Sequence, residues 1–275
     1  MLVWNLESSY LALPESFYSY ASTDMVPSPE WVVFNTSLAE TLGMGSSPEP
    51  EDLAILSGNR PPPNARVYAQ AYAGHQFGHF TMLGDGRAAI IGEVLDPQGK
   101  RWDMQLKGSG PTPYARGGDG KAVLGPMLRE YLIGEYFHAV GIPATRALSV
   151  VMSGESVQRE SLKPGAVLCR IAASHLRIGT LQYAATLSDV EALKYLADYA
   201  MARHYPQVRG QSNPYLAFLA AVGDAQAELV ARWMCLGFVH GVMNTDNVAI
   251  SGQAIDFGQI GRAHVELQSP NTISY

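Results

Sequence analysis

The spacing of apolar residues changes once along the chain, near residue 188. Between residues 66 and 187, short apolar runs are separated by glycines, and some alternate strictly with polar residues, which is typical of β-strands. From residue 188 the apolar positions recur every three and four residues, which indicates helices. A Ser-x-x-Glu capping box at Ser188 predicts a helix that runs to Ala202, and a longer helix is predicted over residues 213–241. The pattern therefore predicts an α+β protein, strand-rich first and helical afterwards.

Residues 1–65 have a different composition, rich in Pro, Ser and Glu between short apolar patches. We expect them to wrap around the strand-rich part as loops and short helices, for example over residues 37–42. Three consecutive prolines at residues 61–63 mark the boundary with the strand-rich part. The predicted organisation is summarised by four ranges: residues 1–65, 66–187, 188–258 and a tail at 259–275.

One strand and one helix of the strand-rich part carry opposite charges that could meet. In residues 102–107 (WDMQLK) apolar and polar residues alternate, which predicts a half-buried strand that ends at Lys107. A glycine-rich loop follows, and apolar spacing then predicts a helix over residues 124–139. Of its carboxylates, Glu130 is the better partner for Lys107 because Glu135 lies nearer the helix end. Such a pair holds a strand lysine over nucleotide phosphates in kinase-like proteins; the alternatives are a solvated lysine and a surface carboxylate.

Residues 240–258 (HGVMNTDNVAISGQAIDFG) contain the oxygen-bearing groups of a metal–nucleotide site. Asp246 and Asn247 are adjacent on a predicted loop, and Asp256 follows on a predicted short strand, where it opens an Asp-Phe-Gly triplet. Mg²⁺ prefers oxygen ligands, typically carboxylates together with phosphate oxygens. In kinases the Asp of this triplet and an Asn of the catalytic loop hold the metal. We therefore expect a magnesium–nucleotide site in this segment.

Further candidate phosphate ligands lie in the predicted strands. The turn GDGR at residues 84–87 allows backbone N–H groups to approach a phosphate and adds the charge of Arg87, although the same sequence is also an ordinary hairpin signal. Arg170 interrupts an apolar run, where a buried cation needs an anionic partner. Together with Arg177 it fits phosphate recognition by guanidinium groups, and the alternative is that both form ion pairs with nearby carboxylates.

Composition and charge argue against several classes of function. The chain has 275 residues, 47% apolar and 16% charged, with a formal net charge of -6, which describes a compact protein without the clustered Lys and Arg of nucleic-acid binding. Two distant cysteines without a C-x-x-C motif indicate neither a disulfide framework nor a zinc site, so a cytoplasmic, reducing location is expected. No basic signal-peptide start and no apolar run of about 20 residues are present, so no membrane partner is expected.

Four stretches together resemble one family. The segments GHQFGHFTMLGDGRA, WDMQLKGSGPTPYARGGDGKA, LREYLIGEYFHAVGIPATRAL and HGVMNTDNVAISGQAIDFG are similar in sequence and order to motifs of the selenoprotein O family, bacterial members of which use no selenocysteine. The resemblance covers nearly everything from residue 6 to residue 258. It implies a protein-kinase-like, two-lobed fold with a strand-rich N-lobe containing one main helix and the beginning of a helical C-lobe.

The resemblance also implies an activity. Members of the family are implied to be protein adenylyltransferases that bind ATP in an inverted orientation with Mg²⁺, or Mn²⁺, and transfer AMP to Ser, Thr or Tyr hydroxyls of protein substrates. Asp246 would be the proton acceptor, Asn247 and Asp256 would hold the metal, and Glu130 would pair with Lys107. The residues implied to contact the nucleotide are Gly84, Gly86, Arg87, Lys107, Asp119, Gly120, Arg170, Arg177 and Asp256.

The residues themselves argue against phosphate transfer. In the kinase pattern H-x-D-x-x-x-x-N an Asp lies five positions before the Asn, whereas Val242 lies five positions before Asn247. Valine cannot accept a proton, so Asp246 is the candidate general base, and attack on the α-phosphorus of ATP is predicted. Three alternatives remain open: an ordinary kinase-like phosphotransferase, a nucleotide-binding pseudokinase scaffold and a purely structural α+β domain.

The last residues do not resemble the family. The tail QIGRAHVELQSP from residue 259 is similar to a translated sequencing adapter, so we expect residues 259–275 to be non-native and most of a helical lobe to be missing. The redox residue that the family carries near its C-terminus is absent from the chain as well.

Overall fold

The computed structural model describes residues 1–76 and 78–257. Within these residues the strands form one eight-stranded antiparallel sheet and one separate two-stranded hairpin. The strands are β1 (Leu6–Glu7), β2 (Tyr18–Tyr20), β3 (Glu30–Phe34), β4 (Tyr68–Gln70), β5 (Ala73–Gln76), β6 (His79–Met82), β7 (Ala88–Leu95), β8 (Arg101–Lys107), β9 (Arg146–Gln158) and β10 (Leu162–Ala172). The helices are α1 (Thr36–Thr41), α2 (Pro50–Leu56), α3 (Leu124–Ala139), α4 (Ile178–Thr186), α5 (Val190–His204) and α6 (Pro214–Cys235). The chain is thus an α+β protein, as predicted.

Strand β8 lies near the middle of the large sheet. The strand order is β2-β4-β7-β8-β10-β9-β3, and β1 pairs with β7. Lys107, at the end of β8, is opposite Ala88 on β7 and Leu168 on β10. Strands β1 to β3 come from residues 1–65, where the sequence pattern predicted loops and short helices. These strands are two to five residues long, which is too short for a clear alternation of apolar and polar residues.

The polar face of β8 is buried, contrary to the prediction of a half-buried strand. Asp103, Gln105 and Lys107 are 2%, 0% and 7% exposed. Their charges have partners on neighbouring elements: Arg203 on α5 donates a hydrogen bond to Asp103 over 2.5 Å, and Lys107 contacts Glu130 on α3. Alternation of apolar and polar residues shows two faces but not whether the polar face is covered, because that depends on the elements packed against it.

Helix α3 lies across β9 and β10 and brings Glu130 over the sheet. It ends before Gly141, as the sequence predicted. Met127 on its apolar side packs with buried residues of the sheet, among them Val150 and Leu168. Gly134 allows the close approach, because a Cβ there would lie 2.7 Å from the backbone oxygen of Thr145.

The helical part is joined to the sheet by α4 and α5, and its first long helix begins differently from the prediction. The N-cap of α5 is Asp189, whose side chain accepts the N–H of Ala192, and not Ser188. Ser188 instead has a positive φ of 54° in the turn before the helix. Asp and Ser are comparable N-caps, so the connecting turn decides between them.

A cluster of aromatic rings anchors the segment that follows α6. Phe257 contacts Phe137 of α3 with ring centroids 5.5 Å apart, and Phe238 contacts the same ring at 4.8 Å. His240 stacks on Trp233 of α6, and its Nε2 lies 2.8 Å from the carbonyl oxygen of Ile255. The residues on both sides of Asp256, Ile255 and Phe257, are therefore fixed by contacts with neighbouring elements.

No helix within the described ranges is both long and apolar enough to cross a membrane. The predicted non-native tail at residues 259–275 lies outside the described residues, as does the Gly258 of the Asp-Phe-Gly triplet.

Candidate active site

The predicted site residues meet at one cleft of about 330 Å³, a size typical of small-molecule sites. The cleft lies between the ends of β7, β8 and β10, the glycine-rich loop after β8, and residues 246–256. Glu130 lies directly behind the cleft, buried against Lys107. The predicted residues that line the cleft are Gly84, Gly86, Arg87, Lys107, Asp119, Gly120, Arg170, Arg177, Asp246, Asn247 and Asp256.

A buried ion network forms the floor of the cleft. The Lys107 ammonium contacts Glu130 Oε2 at 2.8 Å and Asp256 Oδ1 at 2.7 Å. Arg170, on the neighbouring strand β10, donates to Glu130 Oε1 at 2.7 Å and to Asp256 Oδ1 at 2.6 Å. Arg177, the N-cap of α4, reaches the other oxygen of Asp256 at 2.7 Å. These three cations surround Glu130 and Asp256, and Asp85 lies 3.8 Å from Arg177. The floor of the cleft thus carries closely spaced ammonium and guanidinium groups that attract an anionic ligand.

The network shifts the pKa of its members in directions set by burial and charge. Burial alone raises the pKa of the Glu130 and Asp256 carboxyl groups, but Arg170 and Lys107 outweigh it and lower both pKa values. Burial, helped by Arg170, lowers the pKa of Lys107 although two carboxylates favour its charged form. Both carboxylates are therefore ionised at neutral pH.

Asp256 does not lie on a strand, contrary to the prediction. It lies in a bend with a positive φ of 59°, and the backbone pairing near it consists of isolated bridges, such as that between Ala144 and Ala254, and not of a strand ladder. The apolar run before Asp256 is buried by the aromatic cluster rather than by a sheet ladder. A short apolar run cannot distinguish these environments from sequence.

Asp246 and Asn247 lie on a single 3-10 turn, Thr245–Asn247. The Asp246 side chain is 2% exposed. Its Oδ2 accepts the side-chain amide of Gln76 at 2.8 Å, and its Oδ1 has no hydrogen-bond partner among the described residues. Arg177 donates to the backbone oxygen of Asp246 at 2.5 Å. Oδ1 is itself buried against Gly74. A carboxylate at a cleft with an oxygen that lacks a hydrogen-bond partner has the chemistry of a proton acceptor.

The turn at residues 84–87 is not a β-hairpin. It links β6, which pairs with β5, to β7 of the large sheet. Its two glycines make room for the glycine-rich loop: a Cβ at Gly84 would lie 2.5 Å from the Tyr114 ring, and one at Gly86 would lie 2.8 Å from the Tyr114 backbone oxygen. The exposed Arg87 follows at the rim of the cleft.

The glycine-rich loop is fastened to the end of β9. Asp119 accepts two hydrogen bonds from Arg159, at 2.6 and 3.0 Å, and Arg159 also lines the cleft. The bonds from Arg159 lower the pKa of the Asp119 carboxyl group. The Asp119 carboxylate is thus already paired, and the loop presents backbone around Gly120 together with the Arg159 guanidinium to the cleft.

Several cleft residues were missed by sequence reasoning. They are Tyr72, Gln76, Asp85, Tyr114 and Arg159. Asp85 lies between the two glycines of the turn at residues 84–87. Its burial raises the pKa of its carboxyl group, and this effect outweighs the opposite effect of the nearby Arg177 charge. Arg177 also lies over the Tyr72 ring, 4.7 Å from its centroid. The other residues carry no local signal because partners far along the chain bring them to the cleft.

Two residues of the cleft, Asn247 and Asp256, keep side-chain oxygen positions of the kind that Mg²⁺ uses. An ionised carboxylate offers about four lone-pair positions, and Asp256 uses three of them for Lys107, Arg170 and Arg177. The amide nitrogen of Asn247 donates to the Val242 oxygen at 3.3 Å, which leaves its carbonyl oxygen for another contact. Residues 1–76 and 78–257 contain no group of three or more His, Cys, Asp or Glu that could hold a metal. Any further ligands would therefore be phosphate oxygens and water.

Fold and cleft define an α+β protein with a buried, cation-rich site for an anionic ligand. The chain belongs to the family described as protein adenylyltransferase SelO, whose family model matches residues 1–262. The predicted relationship to the selenoprotein O family is thereby confirmed.

Named relatives agree with this assignment. The chain is 53% identical over 272 residues to the protein nucleotidyltransferase YdiU of Brevibacillus brevis, which covers 98% of this chain and 55% of the relative. It is 56% identical over 257 residues to YdiU of Bacillus mycoides, covering 93% and 53%, and 54% identical over 272 residues to YdiU of Shouchella clausii, covering 98% and 56%. The chain thus spans about half the length of the curated relatives it matches, and the family is one of nucleotidyltransferases.

Proposed function

We propose that this chain carries the nucleotide site of a protein adenylyltransferase, which transfers AMP from ATP to Ser, Thr or Tyr hydroxyls of other proteins. Membership of the family supports the reaction class. We further propose that residues 66–187, the sheet with α3 and α4, form the N-lobe of a protein-kinase-like fold, and that residues 188–258, with α5 and α6, form the start of its C-lobe. The cleft lies where the two parts meet, which supports this division.

The triphosphate would bind against the ion network. Lys107, Arg170 and Arg177 supply three buried positive charges, and in a site of low dielectric such charges stabilise phosphate oxygens more strongly than in water. Arg87 and Arg159 lie at the rim of the same cleft and would contact the rest of the nucleotide. We propose the inverted ATP orientation that the family resemblance implies, which presents the α-phosphorus, and not the γ-phosphorus, to the acceptor.

Asp246 would act as the general base. Its carboxylate takes the proton of the acceptor hydroxyl while the hydroxyl oxygen bonds to the α-phosphorus. The bond between the α-phosphorus and the oxygen bridging to the β-phosphorus breaks, and pyrophosphate leaves with that electron pair. Val242, at the position of the kinase base, has no group that could do this.

Asn247 and Asp256 would hold Mg²⁺, with Mn²⁺ as a possible substitute. When bound, the ion would neutralise charge on the phosphate oxygens. The remaining lone-pair position of Asp256 and the carbonyl oxygen of Asn247 support this assignment.

The proposal is supported most directly by two features that lie side by side in the same cleft. A network of three buried cations around Asp256 lies beside a buried Asp246 with one unpartnered oxygen. A scaffold that only binds nucleotide has no need for a buried free carboxylate oxygen, because burying it without a partner costs free energy.

Transfer of label from ATP tests the reaction. The chain is incubated with Mg²⁺ and ATP labelled at the α-phosphate, with itself and a protein mixture as acceptors, and γ-labelled ATP is used in parallel. Label on protein is expected from the α position only. We expect Asp246→Ala to reduce the transfer about 100-fold or more, the usual scale of a lost general base.

The control is Asp224→Ala, an exposed carboxylate on α6, which should transfer AMP at the unsubstituted rate. Label from γ-labelled ATP alone would instead show a kinase. Nucleotide binding without any transfer would show a pseudokinase scaffold.

A further inference from the structure

The hairpin of β5 and β6 packs against the turn that carries Asp246, outside the large sheet. Gln76 is the last residue of β5, and its side-chain Nε2 donates to Asp246 Oδ2 over 2.8 Å. This hydrogen bond is the described contact that joins a side chain of the hairpin to the Asp246 carboxylate. It therefore holds the candidate base from an element that contains none of the assigned site residues.

The position of the hairpin is itself tightly determined. Gly179 in the first turn of α4 lies so close to β5 that a Cβ there would be 2.1 Å from the Ala73 backbone oxygen. The same Cβ would lie 3.2 Å from the backbone oxygen of Thr245, beside Asp246. Helix α4, strand β5 and the 3-10 turn are thus packed at backbone distance, so Gln76 cannot shift independently of the turn.

The Asp246 carboxylate also packs directly against the backbone of Gly74. A Cβ at Gly74 would lie 2.1 Å from Asp246 Oδ1, so the absence of a side chain on Gly74 makes the room for this oxygen. With Oδ2 bound by Gln76, Oδ1 is the oxygen that remains without a partner. The hairpin therefore fixes one orientation of the carboxylate, with Oδ2 bonded to Gln76 and Oδ1 packed against Gly74.

The chemistry of the donor suits this task. A glutamine amide is neutral, so it orients the carboxylate without the full positive charge that Lys or Arg would place beside a base. Backbone and side chain of Asp246 then have separate anchors, because Arg177 binds the backbone oxygen and Gln76 binds the side chain. A base must lie within about 2.6–3.2 Å of the proton it removes, and a displacement of about 1 Å can cost about 100-fold in rate.

We propose that Gln76 is a positioning residue that orients the Asp246 carboxylate for proton removal. The proposal rests on the proposed function of Asp246 as general base. It assigns to the hairpin the role of aligning the base.

Two substitutions at Gln76 test the proposal. Gln76→Ala should lower kcat for AMP transfer between about 10-fold and 100-fold, while KM for ATP stays within about twofold. Gln76→Glu keeps the size of the side chain but replaces the donor by a carboxylate that repels Asp246, so kcat should fall at least as far. Thr81→Ala is the control, since Thr81 lies on β6, outside the cleft, and its hydroxyl donates to the His79 backbone oxygen; its kcat should equal that of the unsubstituted chain.

The outcomes separate this proposal from the proposed function. An unchanged kcat in Gln76→Glu would overturn the positioning role, because it would show that AMP transfer does not require the hydrogen bond that Gln76 donates to Asp246. A rise in KM for ATP that accounts for the whole loss in either variant would also overturn it, since Gln76 would then act on nucleotide binding. If the unsubstituted chain transfers no α-label, the proposed function fails and the role of Gln76 fails with it.

Discussion

At the level of single residues, Asp256 shows how the carboxylates of the cleft are paired with its cations. Its two oxygens accept hydrogen bonds from Lys107, Arg170 and Arg177, although its side chain is only partly buried, at 19% exposure. Glu130, at 4% exposure, shares the first two of these cations. A buried ion network of this kind is destabilised strongly when one member is removed, because the remaining charges stay buried without compensation.

Glu130→Gln tests this pairing. The substitution keeps the shape of the side chain but leaves Lys107 and Arg170 with one carboxylate for two cations, so we expect a loss of about 3–5 kcal/mol in the free energy of unfolding. Urea denaturation followed by circular dichroism measures the change. Because Lys107 also loses the carboxylate that holds it, the affinity for Mg-ATP should weaken in the same variant.

Glu135→Gln is the matched control on the same helix. Glu135 is paired with Arg146 at 2.6 Å, but the pair is partly exposed, so its loss should cost about 1 kcal/mol or less. Equal losses of unfolding free energy in the two variants would show that the buried network stabilises the fold no more than the partly exposed pair does.

At the scale of elements, the hairpin of β5 and β6 and the 3-10 turn pack against each other and share the hydrogen bond between Gln76 and Asp246. They belong to parts of the chain about 170 residues apart, as the separation of Gln76 and Asp246 shows. Helix α3 forms a second such pair with the segment around Asp256, because Phe137 packs on Phe257 while Glu130 on the same helix binds Lys107. The site is thus assembled from pairs of elements and not from one continuous motif.

Gly74→Ala tests the contact between hairpin and turn. The new methyl group would overlap the Asp246 carboxylate, and the carboxylate must move, so AMP transfer should fall about 100-fold. The loss in the free energy of unfolding should be about 1–3 kcal/mol, as is usual for added bulk in a packed region. Initial rates with α-labelled ATP and urea denaturation measure the two effects.

Gly223→Ala is the control for this substitution. Gly223 lies in the interior of α6 with no atom within 4 Å of an added Cβ, so alanine should stabilise the helix by about 0.5–1 kcal/mol and leave transfer unchanged. Unchanged transfer in Gly74→Ala as well would contradict the contact between hairpin and base.

At the scale of the whole molecule, buried polar groups join the sheet to the helical part. Arg203 on α5 binds Asp103 of β8, and Asp103 also accepts the backbone N–H of His175. The ring of His204, the last residue of α5, lies 2.7 Å from the Ser174 hydroxyl. Burial, followed by the charge of Arg203, lowers the pKa of His204 to about 4.

This interface should make the stability of the molecule sensitive to acid. An unfolded histidine has a pKa of about 6.5, so below that pH the unfolded state binds the proton of His204 more readily than the folded state does. Stability is therefore full above about pH 6.5 and falls as the pH drops towards 4, by on the order of 3 kcal/mol for this residue. The lowered pKa of the buried His175 acts in the same direction.

Urea denaturation at several pH values between 7 and 4 checks this expectation. His204→Gln removes the titrating ring and retains a hydrogen-bonding group for Ser174, so the fall in unfolding free energy over this range should be smaller by a similar amount. An identical pH dependence in His204→Gln and the unsubstituted chain would rule out this source of acid sensitivity.

Local patterns in the sequence were sufficient for the main helices, for most strands of the large sheet and for the choice of residue types at the cleft. The alternation in residues 102–107 indicated β8 and placed Lys107 at its end, and the spacing of apolar residues indicated α3 and α6. Such patterns are visible because they depend on neighbours within two to four residues. The same reasoning placed Asp256 on a strand and left β1 to β3 out, since these features depend on distant packing.

By itself, then, the sequence determined which chemical groups are available: side-chain oxygens at Asn247 and Asp256, a carboxylate at Asp246 while the position of the usual kinase base is Val242, and a family whose motifs occur in order. Only the tertiary structure decided which groups meet. The antiparallel pairing of β8 with β10 aligns Arg170 with Gln105, two residues before Lys107, and the packing of β5 against α4 brings Gln76 to Asp246. These contacts join residues far apart in sequence, and no local periodicity records them, because they arise from the order of strands and the close approach of backbones.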